Sequence, residues 1–183
     1  MERRSLWVVG TREVVYMAIG AALYGVLSWV FNIFLVIPGT ANVAVRPPVV
    51  IPLFFGAVFG PWVGFFSGFV GNIIGDLLSG WGFWLWWDIG NGLMGFFAAF
   101  ALFWVSQYRT RRDYVVAEVW AAIGVIIGMG LASISEMWVS GADMRAVIFA
   151  NFVPAAATNL VNGLILLPIL LAAYMAVARR TGR

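Results

Sequence analysis

The chain has 183 residues, 63% of them hydrophobic and only 10% charged, with a mean hydropathy of +0.95. A soluble domain carries roughly a quarter of its residues charged, so this is an integral membrane protein with room for roughly five to seven spans. All 11 basic residues are arginine, and the absence of lysine, histidine and cysteine removes the Walker A lysine, the usual zinc ligands and His- or Cys-based nucleophilic catalysis.

After Arg3, Arg4 and Arg12, an apolar run predicts a first spanning helix over 13–34, longer than the core of a signal peptide. Ala18 and Ala22 lie four apart on it, followed by Gly25. Such a small-residue face either packs internally or docks onto another membrane protein. Pro38, Gly39, Thr40, Ala41 and Asn42 predict a turn. A second helix over 43–59 opens with Arg46, Pro47, Pro48 and Pro52. Its prolines remove backbone donors and leave carbonyls free, an irregularity tolerated at membrane depth where it lines a cavity.

The third helix, over 62–79, follows Gly60 and Pro61. Gly60, Gly64, Gly68, Gly71 and Gly75 recur at helical spacing, which predicts one close-packing seam. Asn72 and Asp76 sit one turn apart beside it. A carboxylate and an amide at membrane depth are costly, so their default reading is a functional site facing the interior. Trp81, Trp84, Trp86 and Trp87 come next. An interfacial aromatic belt accounts for any one of them, and four between Asp76 and Asp88 also suit stacking against a planar ligand.

The fourth helix is expected over 88–108, with Asp88 placed either as its N-cap or as a ligand contact. Asn91 shares that face, and Gly92 and Gly95 keep the wall thin. The fifth helix, over 115–139, carries Gly124, Gly128, Ala132 and Glu136 as a four-residue ladder that keeps Glu136 out of lipid. The sixth, over 146–178, holds Asn151, Asn159 and Asn162 on one face, with kinks expected at Pro154 and Pro168.

Six spans place Arg3, Arg4, Arg12, Arg109, Arg111, Arg112, Arg179, Arg180 and Arg183 on one side and only Arg46 and Arg145 on the other, which predicts cytoplasmic termini. The expected fold is therefore an all-α integral membrane protein. It is a compact six-transmembrane-helix bundle forming a single membrane domain over 1–183. Its outer half collects the candidate ligand set Arg46, Asn72, Asp76, Trp84, Trp87, Asp88, Asn91, Glu136, Asn151 and Asn159. Buried ion pairs that only hold helices together are the competing explanation. The inner half has almost no polar residue within its spans, which favours a pocket over a pore. No catalytic residue, metal, cofactor or nucleic-acid partner is expected.

The six-helix order, the Ala18 and Ala22 pair, the run FGPWVGFFSGFVGNIIGDLL at Phe59 to Leu78 and the run GNGLMG at Gly90 to Gly95 resemble a known family over nearly the whole chain. This is the substrate-binding S component of energy-coupling factor (ECF) transporters, in its riboflavin-type branch. The resemblance implies capture of a vitamin or similar micronutrient, riboflavin or another planar heterocycle, at the outer face of a prokaryotic plasma membrane. It further implies docking through Ala18, Ala22 and Gly25 onto a transmembrane coupling protein driven by two ATPases, followed by toppling to release the cargo inside. Those partners would supply the nucleotide site that this chain lacks. A membrane-embedded enzyme is the weaker alternative, because no paired acidic motif of established spacing is present. A structural or assembly protein would explain the glycines but not the outer polar residues.

Overall fold

The computed structural model describes residues 6–40 and 42–180; Arg3, Arg4, Ala41 and Arg183 lie outside them. Among the described residues, six helices make up the bundle. They are α1 (Thr11–Phe34), α2 (Val50–Phe59, entered through a 3-10 turn at Pro47–Val49), α3 (Pro61–Leu78), α4 (Leu85–Ala98, running on as a 3-10 turn over Ala99–Phe103), α5 (Arg111–Val139) and α6 (Met144–Arg180). Among the described residues there is no strand, only an isolated bridge between Val36 and Ala44.

Four of these, α1, α4 with its extension, α5 and α6, are long and apolar enough to cross a membrane. Their outer faces fit that medium: Ile19, Leu23 and Ile33 on α1 and Val161, Ile165 and Ile169 on α6 are all exposed. The shorter α2 is a core element, with Val50, Ile51, Pro52, Leu53, Phe55, Gly56 and Ala57 buried. It is enclosed by its neighbours and need not meet lipid along its length.

Local chemistry moved several boundaries. The α5 helix starts at Arg111, four residues before the expected 115, because Thr110 and Asp113 form a capping box. The Asp113 carboxylate accepts from the Thr110 backbone N–H at 2.8 Å. The α4 helix starts at Leu85, so Asp88 is not its N-cap; Trp84 holds that position and Asp88 lies in the first turn. At its other end α4 tightens to 3-10 and stops by Phe103, short of the expected 108. Tyr108, in the loop that follows, donates instead to the Ala57 carbonyl at 2.6 Å. The kink expected at Pro154 takes the form of a π-helical stretch over Val147–Phe152. A wider turn lets the chain absorb a residue that has no N–H and clashes with the carbonyl four before it.

The glycine stripe of α3 serves two neighbours instead of forming one seam. A Cβ at Gly64 or Gly68 would overlap the carbonyls of Gly95 and Asn91 on α4, while one at Gly71 or Gly75 would press on Tyr24 and Ser28 of α1. Gly60 is not in the helix at all. It adopts φ +111° in the turn before Pro61, a conformation that favours glycine. On the other side of α4, Gly90 and Gly128 bring the α4 and α5 backbones together.

The connections over 35–46, 79–84 and 140–143 gather at one end of the bundle. At the opposite end Trp7 meets Trp62 and Phe100, and Gly60 approaches Leu6. Arg12, Arg109, Arg111, Arg112, Arg179 and Arg180 fall at that opposite end, while Arg46 and Arg145 fall at the first.

Candidate functional site

A cavity of about 210 Å³ opens at the Arg46 end, walled by α3, the start of α4, α5 and α6 and by the connections before α2 and α4. Its floor is set by Asn72, which α3 presents from the helix face that the glycines press against its neighbours. Asn72 accepts from Arg46 Nη1 at 2.9 Å and donates to both Asp76 Oδ2 and Asp88 Oδ1 at 2.8 Å. Arg46 Nη1 also lies 3.9 Å from Asp76 Oδ1. One amide thus links a guanidinium to two carboxylates in the interior, where each would be costly alone.

The opposite wall comes from α5 and the start of α4. The small-residue ladder Gly124, Gly128 and Ala132 lets α4 lie close against α5, and one turn further on Glu136 Oε1 accepts from Trp87 Nε1 at 2.8 Å. Trp84 Nε1 donates to the Trp81 backbone carbonyl at 2.8 Å, which ties the Trp84 indole to the connection over the cavity. Trp86 turns away and meets Trp138 edge-on. From α6 come Asn151, Ala155, Thr158 and Asn159. The Asn159 amide donates to the sulfurs of Met129 at 3.1 Å and Met94 at 3.7 Å, which ties α6 to α4 and α5.

Of the sequence-predicted ligand set, Arg46, Asn72, Asp76, Trp84, Trp87, Glu136, Asn151 and Asn159 line this cavity. Asp88 and Asn91 do not. Asp88 sits fully buried behind Asn72, and Asn91 Oδ1 accepts from the Tyr24 hydroxyl at 2.6 Å while its Nδ2 donates to the Trp87 carbonyl at 2.8 Å. Asn162 also leaves the polar face of α6, donating back to the Thr158 carbonyl of its own helix. Sequence reasoning missed Thr40, Asn42, Val43, Ala44, Ala155 and Thr158 as lining residues. The first four belong to the connection after α1, where Ile37 and Val45 pair with Val43 and Leu35 to fold the turn back over the cavity. The turn signal was in the sequence; where the turn folds was not.

Several buried polar atoms of the site have no hydrogen-bond partner among the described residues: Arg46 Nε, Asp76 Oδ1, Asn151 Oδ1 and, behind the wall, Asp88 Oδ2. Polar atoms left so at such depth are costly unless something satisfies them. No group of His, Cys, Asp and Glu able to hold a metal occurs among the described residues. Of the partner-docking set, Ala18 and Ala22 are exposed on α1, but Gly25 is buried, its Cα face against Ile74 and the Gly71 carbonyl.

Four helices long and apolar enough to span a membrane, packed around a half-enclosed cavity with aromatic and polar lining, are the architecture of a multi-pass membrane protein. Residues 8–176 match the family of S components of ECF-type riboflavin transporters, and the chain belongs to it. It is similar to a UPF0397 protein of Aliivibrio salmonicida (strain LFI1238), 33% identical over 84% of each chain. It is also similar to a UPF0397 protein of Aliivibrio fischeri (strain ATCC 700601 / ES114), 32% identical over 68% of this chain and 69% of the relative. A third, from Vibrio atlanticus (strain LGP32), is 32% identical over 65% and 66%. The family is one of substrate-binding subunits of ECF transporters, not an enzyme family, and membership implies an energy-coupling module as partner.

Proposed function

We propose that this protein captures a vitamin-like planar heterocycle, riboflavin among the candidates, in the Arg46–Glu136 cavity and delivers it inward with a coupling protein and two ATPases. The cavity faces the outside of a prokaryotic plasma membrane in this reading. Six spans leave both termini, with their arginines, in the cytoplasm. The observation that carries the proposal is the lining itself: Trp81, Trp84 and Trp87 beside buried, unpartnered polar atoms of Arg46, Asp76 and Asn151. Aromatic faces supply contact area and a few fixed polar groups supply orientation, the usual division of labour in a small-molecule site.

Docking falls to the exposed face of α1 carrying Ala18 and Ala22, where small side chains let a partner helix approach closely. Gly25 serves the α1–α3 contact and leaves that face. Mass spectrometry of protein purified in mild detergent tests capture. A small heterocycle is expected to accompany the wild type and to be depleted from Trp84→Ala; material that co-purifies equally with both would overturn the cavity as the capture site.

A further inference from the structure

Independently of the solute, we infer that the arginine-bearing end of the bundle holds the headgroups of anionic phospholipids, with Arg109, Arg111 and Arg112 at the start of α5 as the principal contact. Charge is the first observation. Six exposed arginines lie at this end, and the described acidic residues there, Glu13, Asp113 and Glu118, are all half-buried. The Asp113 carboxylate is also taken up by the backbone: its Oδ2 accepts from the N–H groups of Arg109 and Thr110, at 3.0 and 2.8 Å. None of the six arginines forms an ion pair among the described residues; the pair between Arg46 and Asp76 belongs to the other end. At that other end the exposed charges, Arg145 and Asp143, cancel.

Depth is the second. The arginines stand where apolar, outward-facing stripes stop. On α5, Arg112 is followed at helical spacing by Val115, Val119 and Ile126, all exposed, and on α6 the exposed Ile165, Ile169 and Ala173 lead to Arg180. Five residues before Arg109, the exposed Trp104 stacks on Trp120 of α5 with ring centroids 5.3 Å apart. Tryptophans gather at the boundary between acyl chains and headgroups, so this pair sits just inside the arginines. Acyl chains along the stripes bring the guanidiniums level with the lipid phosphates. A guanidinium is a planar fork of N–H donors that grips a phosphate bidentately. A zwitterionic headgroup carries its own cation and gains little from this surplus of positive charge, whereas an anionic one gains about fivefold in affinity per arginine near the surface.

The test is native mass spectrometry of the purified full-length protein in nonionic detergent, titrated with phosphatidylglycerol and with phosphatidylcholine of identical acyl chains. Phosphatidylglycerol is expected to bind at least about tenfold more tightly. Glutamine at Arg109, Arg111 and Arg112 together should weaken phosphatidylglycerol by about tenfold or more and leave phosphatidylcholine within about twofold. Arg145→Gln, at the other end, should move neither lipid by more than about twofold. Should the triple variant fail to fold, Arg111→Gln with Arg112→Gln, which leaves the Thr110 and Asp113 cap in place, carries the comparison with an effect of about fivefold or more. Equal affinity for the two lipids overturns the inference. So does a preference that survives the arginine substitutions, or one that is lost with Arg145→Gln. Arginine-dependent binding of the energy-coupling module without any lipid preference would assign this end to protein docking instead.

Discussion

Asn72 holds three charged side chains with one amide, so its loss should be felt far more than its size suggests. Asn72→Ala leaves Arg46, Asp76 and Asp88 without their shared partner. We expect it to cost about 3 kcal/mol or more of stability, read as unfolding in detergent, since uncompensated buried charge is expensive. An unfolding midpoint within error of wild type would show that the cluster carries no such energy. Asn91 belongs to the same scale with a different role. Tyr24→Phe, which strips Asn91 Oδ1 of its donor, should cost about 1–3 kcal/mol of stability. These residues also show what spacing can reveal. Asn72 and Asp76 were legible because one helical turn fixes their relation. Asp88 and Asn91 were expected in the ligand set and instead lie behind the wall, because Asn72, Tyr24 and the Trp87 carbonyl take up their polar atoms, which spacing along one helix does not reveal.

The α1 helix has two faces with opposite duties. Met17, Gly20, Ala21, Tyr24, Gly25 and Ser28 are buried against the bundle, whereas Ala18 and Ala22 look outward. Replacing both alanines with leucine should preserve ligand binding in detergent and abolish transport in membranes containing the coupling complex. Uptake that survives with the complex intact would place docking elsewhere. Gly25→Leu should instead act on the fold itself. Its side chain would be forced into Ile74 and the Gly71 carbonyl, at a cost of roughly 1–3 kcal/mol in stability. Periodicity in the sequence identified the close-packed faces of α3 and α5 but not their partners. A stripe at helical spacing states which way a helix faces, and only the fold decides that Gly64 and Gly68 meet α4 while Gly71 and Gly75 meet α1.

For the whole molecule, composition alone made the all-helical membrane class legible, and most helix positions followed from hydropathy. The cavity was less so, because half of its rim comes from connections whose paths depend on every helix they join. We propose from the arginine distribution that the termini are cytoplasmic: single cysteines at Ser79 and Arg111 should then label from outside only at Ser79, and external labelling at Arg111 would contradict six spans with that orientation. Capture of a solute in the Arg46–Glu136 cavity is most directly tested by titrating the purified protein with its co-purifying compound and following tryptophan fluorescence. Quenching is expected, with Trp84→Ala weakening binding by about 1–3 kcal/mol and the Ala18 and Ala22 leucine pair leaving it unchanged. Affinity untouched by Trp84→Ala, or lost with the α1 pair while the protein remains folded, would contradict it.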